Sequence, residues 1–210
     1  MTIEDIITAR GIEEVLHFTT NYGLGGILAT GVVKPRARLT EDKYLEQIYR
    51  PNCPDRSRDE AWHDYVNLSI ARVNWRLLGI SADRWHAGMD GWWCVLSFEP
   101  EILAHEGVYF TTTNNMYSGV RRAKGPKGLE AMYAERIVQW HSSHVCRDLA
   151  TPSCQPTDYQ AEVLYPGELS LDYLQHAYVS EEEHLDAIAG MCGMVTRDPI
   201  PCAVAAQYFA

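Results

Sequence analysis

Short runs rich in aromatic and β-branched residues recur along this chain, and they constrain its fold more than any other feature. They are "VLHFTT" (15–20), "DYVNLSI" (64–70), "WWCVLSF" (92–98), "VYFTTTN" (108–114), "QAEVLYP" (160–166), a short "HAYVS" (176–180) and "CAVAAQYF" (202–209). Runs of this length and composition read as strands. Helical spacing is sparser. "NYGLGGILATG" predicts a short helix bracketed by glycines, and "EDKYLEQIY" a possible one. In "GLEAMYAERIVQW" (128–140), Leu129, Met132, Tyr133, Ile137 and Trp140 fall at helical spacing and predict a core-facing stripe. "SEEEHLDAIAG" predicts a helix capped by Ser180, with Glu183 completing a capping box. No repeat and no convincing linker divides the chain. The pattern is that of one mixed α+β domain over residues 1–210, with short strands and long irregular excursions. The longest, residues 34 to 62, is polar and Pro-containing, and a stretch of that kind in a compact domain is more often functional than idle.

Composition narrows the function classes. An apolar fraction of 46% is that of an ordinary globular protein, and no run approaches the ~20 apolar residues that span a bilayer. The acidic start "MTIEDIITAR" lacks the basic and apolar regions of a signal peptide, so a soluble cytoplasmic protein is expected. No coiled coil or long apolar seam is visible, which predicts a monomer. The six cysteines form no CxxC pair. His141, His144, Cys146 and Cys154 lie near one another, but their spacing matches no common zinc pattern, and no metal is expected. A net charge of −10 argues against nucleic-acid binding through bulk electrostatics. One local exception exists: Arg121, Arg122, Lys124 and Lys127 form either a solvated loop or a patch that tracks phosphates.

Within "PTDYQAEVLYPG" (156–167), Glu162 is a lone carboxylate in an apolar run. Strand residues alternate faces, so Glu162 could simply point outward while Ala161, Val163 and Tyr165 face the core. The alternative is a buried functional acid, since an ionised carboxylate is not buried without a reason.

Three segments, in order, resemble the DarT family of DNA ADP-ribosyltransferases. "LHFTTNYGLGGILATGVV" resembles its opening strand and helix, "HDYVNLSI" its next strand, and "PTDYQAEVLYPG" its catalytic strand. The match spans roughly residues 13 to 180. The resemblance implies an ADP-ribosyltransferase-like split, mixed β-sheet that clamps an NAD cleft. It implies NAD as co-substrate, a base of single-stranded DNA as acceptor, and a toxin paired with an antitoxin that removes ADP-ribose through a macrodomain-like activity. One branch of the family carries a "VPFYF…RSPM" pattern and modifies thymine. This chain reads "NLSIARVNWRLL" there, closer to the guanine-modifying branch.

The resemblance also implies roles. Glu162 would be catalytic. His17, Phe18 and Thr19 at the end of the first strand, with Gly26 and Lys34, would contact NAD. An arginine of the NAD-binding element matches Arg50 in spacing, although Arg36, Arg38, Arg56 and Arg58 share its excursion. An arginine suits pyrophosphate or developing charge because it stays ionised and forked. Asn114, Asn115, Tyr117, Arg121, Arg122 and Lys124 would meet DNA, with Tyr133 and Trp140 as further stacking rings. The acid's chemistry is specific: cleaving the nicotinamide–ribose bond passes through an oxocarbenium-like state, which a rigid carboxylate stabilises above the ground state. Competing readings are an ADP-ribosyltransferase acting on RNA or protein, an RNA 2′-phosphotransferase, an inactive nucleotide-binding module, and a plain structural domain. The phosphotransferase would need a base where Glu162 stands.

Overall fold

The computed structural model describes residues 1–40, 60–88 and 90–209. Its centre is an eight-stranded mixed sheet in the order β12-β11-β4-β1-β3-β9-β5-β6. These strands are β1 (Val15–Thr20), β3 (Tyr65–Ile70), β4 (Trp93–Phe98), β5 (Tyr109–Thr111), β6 (Arg122–Lys124), β9 (Val163–Pro166), β11 (Leu174–Val179) and β12 (Cys202–Val204). All neighbours are antiparallel except β11 and β12. Two small ribbons flank the sheet: β2 (Val32–Val33) with β10 (Leu169–Ser170), and β7 (Arg136–Val138) with β8 (His144–Cys146).

The sheet divides at one seam. β1 pairs with β4 along its length, from Val15↔Phe98 to Thr20↔Trp93. With β3 it pairs only at Val15↔Ile70 and Leu16↔Ser69. From His17 onward β1 leaves β3, whose residues Tyr65 to Leu68 pair with β9 instead. The result is the split sheet expected from the sequence.

Alternation along β1 sends Val15 into the main core and Leu16 into a smaller cluster on the other face, with Val73, Leu78 and Val95. Helix α1 (Ile3–Arg10) contributes Ile6 and helix α2 (Asn21–Thr30) contributes Leu24, Ile27 and Leu28 to the main core. Thr20 caps α2 by accepting from the Gly23 amide at 3.1 Å, and Gly31 closes the helix at φ 76°. Helix α3 (Arg36–Thr40) follows β2, α4 (Trp75–Ile80) follows β3, α5 (Gly125–Ala131) follows β6, and α6 (Glu183–Met194) lies between β11 and β12.

Three local expectations fail. The run "CAVAAQYF" is a strand only over Cys202–Val204; pairing with β11 ends there and Ala206–Tyr208 turn into a 3-10 helix. The stripe over 128–140 is helical only to Ala131; Leu129, Met132 and Tyr133 are buried, then the chain turns and Arg136–Val138 form a strand. Ile137 fits either period, being the one buried residue between exposed Arg136 and Val138. Trp140 is 48% exposed and joins no core stripe. Ser180 does not cap α6 either: the cap position is Glu182, in helical dihedrals and with no side-chain cap bond, because β11 runs on to Val179 and displaces the helix start. The helix expected over "EDKYLEQIY" lies outside the described residues. No described helix is long and apolar enough to cross a membrane.

Two glycines in helices predict opposite signs. A Cβ on Gly128 would stand 2.7 Å from the Ala123 carbonyl carbon and 3.1 Å from the Phe110 ring, so backbone must shift. Gly190, exposed in α6, would meet nothing within 4 Å. In thermal melts, Gly128→Ala is expected to destabilise by about 1–3 kcal/mol, and Gly190→Ala to stabilise by about 0.5–1 kcal/mol.

Candidate active site

Glu162 immediately precedes β9, and its backbone continues the ladder: its carbonyl accepts from the Thr111 amide at 2.9 Å and its amide donates to Thr111 Oγ1 at 3.0 Å. Ala161, Val163 and Tyr165 face the main core, as alternation predicts. The opposite face is not solvent, however, and Glu162 is only 5% exposed. Its Oε1 accepts from Asn67 Nδ2 at 3.1 Å and its Oε2 from the Asn115 amide at 2.8 Å. Donors from two loops or strands thus hold both carboxylate oxygens, which offsets the desolvation of a buried acid. The outward-pointing reading is corrected: the loop after β5 covers that face.

That loop is itself anchored. Asp158, fully buried, accepts from Thr113 Oγ1 at 2.6 Å, Gln139 Nε2 at 2.8 Å and the Gln160 amide at 2.9 Å. Tyr117 donates to Gln160 Oε1 at 2.9 Å and stacks on Trp140, with centroids 4.5 Å apart. The segment that leads into Glu162 is therefore tied to the loop that touches its carboxylate.

Asn67 also reaches across the seam. Its backbone carbonyl faces His17 Nδ1 at 3.1 Å. A carbonyl only accepts, so Nδ1 carries the proton and Nε2 presents a lone pair. His17 keeps part of its surface open, yet it sits deep among protein atoms, and this burial pushes its pKa below the usual value against the smaller opposing effect of the Asn67 carbonyl.

The other sequence-predicted residues are distributed as follows. Phe18 lies on the opposite face of β1 from His17, edge-on to Trp93 at 5.8 Å. Thr19 is buried, its hydroxyl against Gly23, and Gly26 is buried in α2 with its carbonyl accepting from Thr30. Lys34 pairs with Glu168 at 3.8 Å, and Arg38 with Asp64 at 2.7 Å, a bond that holds the Asp64 carboxyl below its usual range. Arg50, Arg56 and Arg58 lie outside the described residues. Asn114 closes a turn, its Oδ1 accepting from the Met116 amide at 2.9 Å. Arg122 donates to the Oδ1 and the carbonyl of Asn115, and lies 5.6 Å from the Trp62 ring; Lys124 lies 4.6 Å from the Tyr109 ring. Arg121 is exposed. Tyr133 is not a stacking platform: it is buried, with Arg10 at 3.7 Å from its ring and its hydroxyl donating to the Cys154 carbonyl.

Sequence reasoning missed Asn67 and Asp158. A polar residue flanked by Val66 and Leu68 in a strand was the available signal for Asn67; Asp158 offered none beyond lying four residues before Glu162. The aromatic group of Trp62, Tyr65 and Tyr109, with centroids 5.1 to 6.0 Å apart, was also missed because it joins distant segments.

The His17 environment predicts a pH dependence. The fold favours the neutral ring, whereas the unfolded chain protonates near pH 6.5. This histidine therefore leaves stability intact above about 6.5 and removes it as pH falls toward the lower folded value. Urea unfolding at pH 7.5 and 5.5 is expected to show a smaller acid loss in His17→Asn than in the unsubstituted protein.

A family model described as "ssDNA thymidine ADP-ribosyltransferase, DarT" matches residues 16–210. The solved structure of Thermus sp. 2.9 DarT in complex with NAD+ aligns with a TM-score of 0.62 at 15% identity, covering 94% of this chain and 98% of that one. The same protein in complex with ADP-ribosylated ssDNA gives 0.64 at 13% identity, covering 95% and 97%. Thermosipho africanus DarTG in complex with ADP-ribose gives 0.57 at 15% identity, covering 94% of this chain and 51% of that one. Curated protein sequences gave no match. The mixed, split sheet is thus the fold of solved DarT structures, and the match over residues 16–210 settles the family. This chain belongs to the DarT family of single-stranded DNA ADP-ribosyltransferases.

Proposed function

We propose that this protein transfers ADP-ribose from NAD to guanine in single-stranded DNA, with Glu162 as the catalytic carboxylate. One observation carries the reading: Glu162 is buried beside the seam of a split sheet, with both carboxylate oxygens held by Asn67 and Asn115. A carboxylate fixed in this way is preorganised. It accepts a hydrogen bond from the ribose 2′-hydroxyl and faces the positive charge that grows at the anomeric carbon as nicotinamide departs. Nicotinamide leaves with the bonding electron pair, and a nitrogen of the base forms the new bond to that carbon and gives up its proton to water.

Two further features fit these ligands. Asn115 is 2% exposed and its Nδ2 has no hydrogen-bond partner, while its Oδ1 and carbonyl are taken by Arg122. A buried donor left in this state costs about 1–3 kcal/mol, which an acceptor on a bound substrate would relieve. The neutral His17 ring presents Nε2 as an acceptor at the seam, suited to the carboxamide N–H of nicotinamide. Phe18, Thr19, Gly26, Lys34 and Arg50 complete the NAD-binding set that the family resemblance implies, and Asn114, Tyr117, Arg121, Arg122 and Lys124 the DNA-facing one.

Guanine rests on the sequence from the second half of β3 into α4, "NLSIARVNWRLL", which lacks the pattern of the thymine branch. Thymine is the second reading, because the matching family description names thymidine. The biological reading is a monomeric cytoplasmic toxin held in check by an antitoxin that removes ADP-ribose.

Incubation with NAD and four single-stranded oligonucleotides, each lacking one base, tests the reaction and its base by mass spectrometry. The expected result is one added ADP-ribose on every strand that contains guanine, and a rate at least about 10²-fold lower in Glu162→Gln. Loss only without thymine overturns the base assignment and keeps the reaction; no adduct on any strand overturns the DNA acceptor.

A further inference from the structure

A second stacked aromatic pair stands at the turn that leads into Glu162, and the reaction as described above leaves it idle. Trp75, the first residue of α4, lies over Tyr159 with centroids 5.1 Å apart and planes 15° from parallel. Arg72 lies 5.7 Å from the same Tyr159 ring. Both partners are rigidly mounted. Tyr159 sits at the tip of a turn closed by the Ala161 amide on the Asp158 carbonyl at 2.9 Å and the Gln160 amide on Asp158 Oδ1 at 2.9 Å. Trp75 is fixed by its neighbours: Val73 and Leu78 are buried, and buried Asn74 caps α4 by accepting from the Leu77 amide at 3.1 Å. Yet Trp75 is 48% exposed.

The approach to this pair is strained. Ala71, directly after β3, has φ 53°, a left-handed conformation that residues with a Cβ rarely adopt. Strain of this kind persists where the surroundings enforce it, and it points from an outlier toward a role. Here it turns the chain so that Arg72, Trp75 and Arg76 are all exposed on one short segment.

Register places this segment at the active end of the sheet. Leu68 pairs with Val163, so the end of β3 adjoins the start of β9, where Glu162 lies. The Tyr117–Trp140 pair is bonded to Gln160, the residue after Tyr159. Two aromatic stacks therefore straddle the turn that leads into Glu162.

We propose that the Trp75–Tyr159 stack, with Arg72, is the subsite for the nucleotide adjoining the target base on single-stranded DNA. An exposed ring already parallel to a second ring offers a base its open face, and a neighbouring guanidinium meets the phosphate. This subsite rests on the acceptor assignment above and specifies how the strand is held.

The test compares oligonucleotides with one target base in which the nucleotide on its 5′ or its 3′ side is abasic. With the unsubstituted protein, one of the two abasic strands is expected to raise KM about tenfold. Trp75→Leu is expected to raise KM for the intact strand by a similar factor and to erase the abasic penalty, with Trp75→Phe restoring most of both. An abasic penalty that survives in Trp75→Leu, or an unchanged KM, overturns the subsite while leaving the reaction standing. Absence of any DNA adduct from the unsubstituted protein overturns the acceptor assignment, and the subsite with it. Thermal melts of both variants exclude misfolding as the cause.

Discussion

Asn67 holds the two halves of the sheet at the point where they part. Its carbonyl accepts from His17 on β1 and its side chain donates to Glu162 beside β9. The two contacts lie just past Leu16, where the pairing of β1 with β3 ends. The same residue thus fixes the width of the seam and the position of the acid, and a change at either side is felt at the other.

The acid's second tether belongs to a different network. The Asn115 amide is placed by a loop whose base is pinned to Asp158 through Thr113, and Asp158 in turn shapes the turn that carries Tyr159 and Gln160. Buried polar networks of this kind rigidify when satisfied and are costly when one member is lost. The strand supplies the register of Glu162; the loop supplies its shelter. The loop is thus tied on one side to the Glu162 carboxylate and on the other to the Tyr117–Trp140 stack, so the buried acid and the surface rings share one rigid support.

What was legible in the sequence follows from how local each signal is. The strands "VLHFTT", "DYVNLSI" and "WWCVLSF" carry enough aromatic and β-branched residues to be read directly, and the structure bounds them within a residue or so. Glu162 stood out because one charge in an apolar run is a local anomaly. The segment after Ala131 was misread because Leu129, Met132 and Tyr133 are helix-spaced while buried Ile137 satisfies a strand as well as a helix. Ser180 was misread because a capping box competes with continuation of the preceding strand, and pairing with β4 and β12 prevailed. Asn67, Asp158 and the rings of Trp62, Tyr65 and Tyr109 act through partners tens of residues away, and no local pattern announces them.

The cations beside the site have a further consequence. Of the basic cluster in "VRRAKGPKG", Arg122 is engaged with Asn115 and the Trp62 ring, and Lys124 lies against Tyr109. These partners are neutral, so both exposed cations keep their charge for a phosphate while the contacts fix where that charge sits. With a net charge of −10 repelling a polyanion at long range, the attraction these cations exert is confined to their own neighbourhood. A single strand held by a few such cations and exposed rings would lose affinity only as fast as its few phosphate contacts dictate when ionic strength rises. Duplex DNA, whose bases are already stacked on one another, would offer the rings nothing.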